Sequence, residues 1–284
     1  MVQVRASMHG AVSIVNAIAT GKGATLGISL PIEALVEAVP GRGIVYDNRE
    51  SNMSARLIRA VIETSVPRAE LEKNKLRISV DTQIPSGYGL KSSSAISSAI
   101  SLACAKIFKP KATDAEILRD GVQASIKSKV SITGAFDDAC GCYFGGFVVT
   151  DNTNIKITKA ERAPDDISAI IFIPKSRKRG NVKKLKILQN IFSQAWDLAN
   201  NSDYWNAMIL NGLATSSILG SDPAILTNLM ESGALGASVS GNGPAIAAVA
   251  KNDKAPLVKK VFASLEGTTL VSPINNQKAE VHEV

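Results

Sequence analysis

Aromatic side chains are scarce in this chain: they make up 5% of its 284 residues, and none falls in its densest basic run, from Lys175 to Lys184. A groove for single-stranded nucleic acid interleaves basic residues with stacking rings, so that use of the run is disfavoured and a solvated loop is expected. Cysteine is rarer still. Cys104, Cys140 and Cys142 are too few and too unevenly spaced for a disulfide framework, so reduced thiols are expected. Cys140 and Cys142 could supply two metal ligands, but no second Cys or His pair accompanies them, and buried small residues account for them better. There is no apolar run of about 18 residues, the length needed to cross a bilayer. Nor is there a charged N-terminal segment leading into an apolar stretch, so a cytoplasmic protein without a membrane partner is expected.

What is present is a hydrophobic content of 45%, enough for a substantial core in one large domain or two smaller ones. The net charge of +7 suits anionic small molecules such as nucleotides and carboxylates, and by itself would also suit nucleic acid.

The most informative stretch runs Ile84-Pro85-Ser86-Gly87-Tyr88-Gly89-Leu90-Lys91-Ser92-Ser93-Ser94-Ala95. Before it, Leu76 to Ile84 alternates apolar and polar residues as a strand with one buried face does. After it, Ala95 to Ala105 carries small and apolar residues at helical spacing. The loop therefore ends at a helix N-terminus, where unpaired N–H groups and the positive end of the macrodipole can cradle phosphate. Its serines can cap the helix, bind phosphate oxygens or offer a hydroxyl to a metal ion, and Lys91 adds a cation. An ordinary serine-capped helix after a glycine turn fits the local pattern equally well. A P-loop does not, because Leu90 separates Gly89 from Lys91.

In chain order, Val2 to Ala6 reads as a strand, and a small-residue segment from Gly10 to Ile28 has Gly21-Lys22-Gly23 near its centre. Lys22 could approach an anion there, though such a triplet is also a plain turn. Strands follow over 30–48, with turns at Pro40-Gly41 and Asp47-Asn48, then a helix over Ser51 to Ser65. Thr113 to Glu116 forms a capping box opening another helix. Asp137 and Asp138 sit among small and apolar residues: one has a raised pKa or a balancing cation, or the two simply begin a helix. The polar stretch at 150–154 marks a boundary between halves, giving domains of 1–155 and 156–284. Beyond it are a strand over Ile167 to Pro174, helices over Val182 to Asn201, Trp205 to Leu219 and Pro223 to Ser232, and a glycine turn at Gly241-Asn242-Gly243.

Pro85-x-x-x-Gly89-Leu90-x-Ser92-Ser93-x-Ala95 resembles the ATP-binding motif of the GHMP kinases, a superfamily that includes galactokinase, homoserine kinase and mevalonate kinase. The usual form has Gly after Leu and Ala after the two serines; here those places hold Lys91 and Ser94. That version, with Asn206 to Gly212 and Ile274-Asn275-Asn276, looks like the archaeal shikimate kinase branch. Residues 10–28 resemble the first motif of the family and Ser240-Gly241-Asn242-Gly243-Pro244 its third, in family order.

The resemblance implies an α/β (α+β) fold of two sheet-and-helix halves, an N-terminal ATP-binding one and a C-terminal one, with the active site in the cleft between them. It implies ATP and Mg²⁺, and transfer of the γ-phosphoryl group to the 3-hydroxyl of shikimate. ATP would lie against Pro85, Ser86, Gly87, Tyr88, Gly89, Leu90, Lys91, Ser92, Ser93, Ser94 and Ala95, with Ser93 on the metal. Asp138, Asp137 and Lys22 become the catalytic candidates, and Ser13, Asn16, Ser240, Gly241, Asn242 and Gly243 the substrate-binding ones. The family's magnesium-binding Glu position is held by Lys127, and no carboxylate lies between Asp120 and Asp137, so either aspartate could hold the ion instead. The substrate carboxylate needs a cation, open among Arg5, Lys175, Arg177, Lys178 and Arg179. The alternatives are homoserine kinase or another small-alcohol kinase of this fold and, from a different class, a basic nucleic-acid-binding module.

Overall fold

The computed structural model describes residues 1–47, 54–131, 134–178 and 180–284. The Asp47-Asn48 turn, the start of the helix expected from Ser51, and Arg179 lie wholly or partly outside these residues. The chain opens with a long antiparallel hairpin of β1 (Val2–Val15) and β2 (Lys22–Pro40). Early in β1 burial alternates, as expected for one covered face; from Gly10 onward every residue is buried. Helices pack on this end of the strand from both halves of the molecule, and its small residues allow the close approach. The segment 10–28 is therefore two strand arms and a turn.

Next come β3 (Gly43–Asp47), α1 (Ala55–Ser65), α2 (Arg68–Leu71), β4 (Asn74–Thr82) and α3 (Ser92–Phe108). They are followed by α4 (Asp114–Lys127), α5 (Phe136–Phe144), β5 (Phe147–Asp151) and β6 (Lys156–Glu161). The second half holds β7 (Ile167–Pro174), a 3₁₀ segment (Val182–Leu188), α6 (Gln189–Asn200), α7 (Tyr204–Leu219), α8 (Pro223–Glu231), β8 (Ala234–Val239), β9 (Ile246–Lys251) and α9 (Ala255–Val261). β10 (Gly267–Pro273) and β11 (Glu280–Glu283) complete it. The first sheet has the order β11-β1-β2-β4-β3, with β5 on β2 and β6 on β5; the second has the order β10-β7-β9-β8. Only β3 and β4 pair in parallel among these strands.

The polar stretch at 150–154 forms the turn between β5 and β6 inside the first sheet, and the second sheet begins at Ile167. β11 then returns to the first sheet and pairs with β1. Asn275 and Asn276 secure this return: the Asn275 carbonyl accepts from Gly146 N (2.7 Å), while the Asn276 amide accepts from Ala163 N (2.8 Å) and donates to Ala163 O (3.0 Å).

Nearly all of α3 is buried, which explains its run of Ala and Ser: Ala95, Ala99 and Ala103 are wholly enclosed, and Ser65 donates to Ser101 across to α1 (2.9 Å). The capping box of α4 is formed in full, with Glu116 N donating to Thr113 Oγ1 and Thr113 N to Glu116 Oε2. Cys104, Cys140 and Cys142 are buried free thiols. Among the described residues, no helix is long and apolar enough to cross a membrane.

Candidate active site

The head of α3 gathers segments that are remote in sequence. Gly89 lies so close to the 240s loop that a Cβ there would collide with the Ser240 carbonyl oxygen, so only glycine fits. The two loops are joined by Ser240 Oγ donating to Gly89 O (2.9 Å) and Ala245 N donating to Tyr88 O (3.1 Å). The end of β1 is the third strand of this junction. Ser13 N donates to Ser240 Oγ (3.2 Å), Gly241 N to Ser13 Oγ (2.9 Å), and Asn16 Nδ2 to Gly241 O (2.7 Å). Asn211 of α7 holds this end from behind, accepting from Asn16 N (2.9 Å) and donating to Ser238 Oγ (2.7 Å).

Lys91 stands at the N-cap of α3 with φ +68°, in the left-handed region, and no side chain caps the helix. Such a conformation costs a residue with a Cβ about 1–2 kcal/mol, which explains why Gly is usual at this place in the motif. What offsets the cost is the side chain. Its ammonium lies 2.6 Å from Asp138 Oδ1 and donates to Ser13 Oγ (2.7 Å), almost wholly enclosed. Burial works against the charge, but the carboxylates of Asp138 and Asp137 outweigh it and raise the Lys91 pKa. Lys91 is therefore a permanent cation at neutral pH.

Both aspartates fall in the first turn of α5, whose N-cap is Ala135 at φ +53°. Asp138 points into the cleft with its side chain 20% exposed. Asp137 is buried behind it: Asn152 Nδ2 donates to its Oδ1 (2.7 Å), and its carboxylate occupies the space a Cβ on Gly23 would need. Burial, followed by repulsion from Asp138, lifts the Asp137 carboxyl to about 7.

The cleft at this junction has a volume of about 390 Å³. Its walls are Ser13, Asn16, Ala17 and Ile18 from the first hairpin, Gly87 and Gly89 to Ser94 from the loop and α3, Ser125, Val130 and Ser131, Asp137 and Asp138, and Val182, Gly241 and Asn242. Of the sequence-predicted site residues, Ser13, Asn16, Gly87, Gly89, Leu90, Lys91, Ser92, Ser93, Ser94, Asp137, Asp138, Gly241 and Asn242 come together here. Pro85, Ser86, Tyr88, Ala95, Ser240 and Gly243 lie outside the lining, where Tyr88 and Ser240 help to join the loops and Gly243 N donates to Ser240 O (2.8 Å) within its own loop.

Lys22 departs from expectation. It is already the first residue of β2, opposite Asp151 of β5, and its ammonium sits 4.3 Å from the Trp196 ring centroid instead of in the cleft. Lys91 supplies the buried cation expected of it. The position expected for the family's metal-binding Glu is also turned away: Lys127 pairs with Glu63 at the surface, and Ser125 is the α4 residue that lines the cleft. Among the described residues no group of three or more His, Cys, Asp or Glu side chains could hold a metal ion. Of the cations proposed for a carboxylate, Arg177 lies beside Gly87, its guanidinium 5.0 Å from the Tyr88 ring centroid and Nε donating to Tyr88 Oη (3.3 Å). Arg5 is paired with Glu33 on the far part of β1. Sequence reasoning missed Asn152, which stands in no motif, and gave no role to Asn211, although it falls in the segment Asn206 to Gly212 that carries part of the resemblance.

Residues 55–146 match the family described as GHMP kinases N terminal domain. The chain is 37% identical over 281 residues to a shikimate kinase of Methanosarcina mazei, covering 96% of this chain and 95% of that one. It is 31% identical to a shikimate kinase of Pyrococcus furiosus, covering 92% and 96%. In three dimensions it resembles a homoserine kinase from Cytophaga hutchinsonii (TM-score 0.75, 18% identity, 99% and 97% coverage). It also resembles L. major mevalonate kinase in complex with R-mevalonate (TM-score 0.71, 18% identity, 96% of each chain). At such identities these likenesses speak for the fold.

Proposed function

We propose, since this chain belongs to the GHMP kinases and within them to the shikimate kinases, that it transfers the γ-phosphoryl group of ATP to the 3-hydroxyl of shikimate, giving 3-phosphoshikimate and ADP. The observation that carries the reading is the enclosed Lys91–Asp138 pair at the head of α3. There a fixed cation, a carboxylate and the uncapped start of a helix meet in one cleft.

Phosphoryl transfer asks a protein chiefly for positioning and charge stabilisation. The loop from Gly87 to Ser94 and the first turn of α3 receive the phosphates, with backbone N–H groups and the helix dipole facing them. Asp138 accepts the proton of the acceptor hydroxyl, whose oxygen forms the new bond to the γ-phosphorus as the bond to the ADP oxygen breaks. Lys91 pairs with Asp138, which fixes the direction of its carboxylate, and steadies negative charge developing beside it. Ser13, Asn16, Gly241 and Asn242 form the acceptor side of the cleft, and Arg177, outside the lining but beside Gly87, is the candidate for the substrate carboxylate.

Mg²⁺ commonly takes only one or two protein ligands besides phosphates and water. The hydroxyls of Ser92, Ser93 and Ser94 line the cleft, and Ser93, the most open of them, fits as that ligand. Once bound, the ion would neutralise phosphate charge. The reading places the reaction in the cytoplasm and needs neither a nucleic-acid nor a membrane partner.

The test is ADP release in the presence of shikimate, homoserine or mevalonate. Stimulation by shikimate alone is expected, because a ring with a carboxylate and several hydroxyls demands its own pocket. A preference for homoserine would overturn the substrate while leaving the fold intact.

A further inference from the structure

Asn152 lies in the turn after β5, in a stretch that no family motif marks. It is buried, and its backbone N–H donates to Gly21 O (2.8 Å), which anchors the turn to the first hairpin. The side chain is committed at both ends. Its Oδ1 accepts from Asp137 N (3.1 Å) and from Thr150 Oγ1 (2.7 Å), while its Nδ2 donates to Asp137 Oδ1 (2.7 Å). Two donors on one side and a carboxylate on the other fix which way the amide faces.

The first N–H groups of a helix have no partner within it, and a side-chain oxygen normally satisfies one of them. α5 has Ala135 at its N-cap, so its cap residue can offer no side-chain oxygen. Asn152 does this from across the sheet. The same amide grips the carboxylate of the residue it caps, and other neighbours close Asp137 in. Gly23 of β2 leaves room for its carboxylate, Thr25 Oγ1 donates to its carbonyl (3.2 Å), and the charges facing it are those of Asp138 and Lys91. Asp138 is the next residue of the helix, so the direction of its carboxylate follows from how Asp137 is held.

We propose that Asn152 is a positioning residue for the transfer: by capping α5 and clamping the Asp137 carboxylate, it aims Asp138 at the acceptor hydroxyl. In this arrangement Asp137 serves as one half of an acid–amide pair, and its own charge plays no direct part in the reaction. The inference rests on the kinase reading above for the identity of the acceptor, but not for the cap itself.

The decisive experiment exchanges the two groups. Asn152→Asp breaks the complement, since two acids then face one another; Asp137→Asn only weakens it, because an amide oxygen can still accept from Asn152 Nδ2, and the double variant puts an amide at 137 opposite an acid at 152. The acid still accepts from the residue-137 N–H and from Thr150. Asn152→Asp should lose about ten- to a hundred-fold in kcat with KM for ATP and acceptor little changed, the scale expected for a small misplacement of a reacting group, and Asp137→Asn should lose less. The double variant should recover to within several-fold of the parent. Hydrogen exchange at the residue-137 amide gives a readout free of any substrate. Protection should fall in Asn152→Ala and be normal in the exchanged pair. A double variant no faster than Asn152→Asp, or one that does not fold, overturns the proposal. So does an Asn152→Ala protein with normal kcat or a normally protected amide. If the parent protein does not phosphorylate shikimate, the substrate reading fails while the amide measurement still decides the cap.

Discussion

The starts of α3, α4 and α5 are built in three different ways. α4 caps itself, Thr113 and Glu116 satisfying each other's backbone groups on the open surface. α5 is capped by Asn152, from a distant turn. α3 has no side-chain cap, and its N-cap residue, Lys91, stands in a backbone conformation that side chains usually avoid. Local self-sufficiency thus falls in step with closeness to the chemistry: the helix that completes itself is scaffold, while the two that do not open into the cleft. A helix start left open can receive a ligand, and one closed by its own residues cannot.

The largest effect should come from α5, where it opens into the cleft. Asp138→Asn is expected to lower kcat by about 10²–10⁴-fold, with KM changed little, as loss of general-base help does. Steady-state kinetics with circular dichroism as the folding control measure it, and a near-normal rate at saturating substrates would remove the catalytic role.

A middle-sized effect separates the backbone of Lys91 from its charge. Lys91→Ala and Lys91→Gly should both be strongly impaired in turnover, since each removes the ammonium beside Asp138. Gly also relieves the left-handed strain, so it should be the more stable of the two by about 1 kcal/mol, read as a few degrees in Tm. Equal stability would show that position 91 is unstrained.

The smallest effect belongs to the self-capped helix. Thr113→Ala should cost about 1 kcal/mol in denaturant unfolding and leave kcat unchanged. A loss of activity there would end the division between scaffold and cleft helices.

The same division decides what could be read in the sequence. The capping box of α4 was legible because its partners stand three residues apart, and the strands at β4 and β7 because they alternate or run apolar. The glycine and serine loops were legible as motifs. The ion pair of Lys91 with Asp138 was not, because it depends on how α3 and α5 are set against the sheet. Asn152 stood in a polar stretch that reads like a boundary, and its partner is reached only through the β5–β6 turn. Lys22 misled for a related reason: Gly21 and Gly23 suggest an open loop, but sheet pairing already begins at Lys22. The segment from Val182, expected as one helix, is a 3₁₀ stretch followed by α6. The four residues of β11 carry too little pattern to announce a strand.

That late strand gives the molecule a timetable. β1 is made well before the partner on its outer edge, Glu280–Glu283, with the whole second sheet between them in the chain. Until β11 is made the nascent hairpin carries an unfilled edge, the kind of surface that pairs with other chains. Arg5, which faces His282 in the finished sheet, lies on that edge and puts a charge where a stray strand would dock. Closure of the first sheet thus waits for the second to be made.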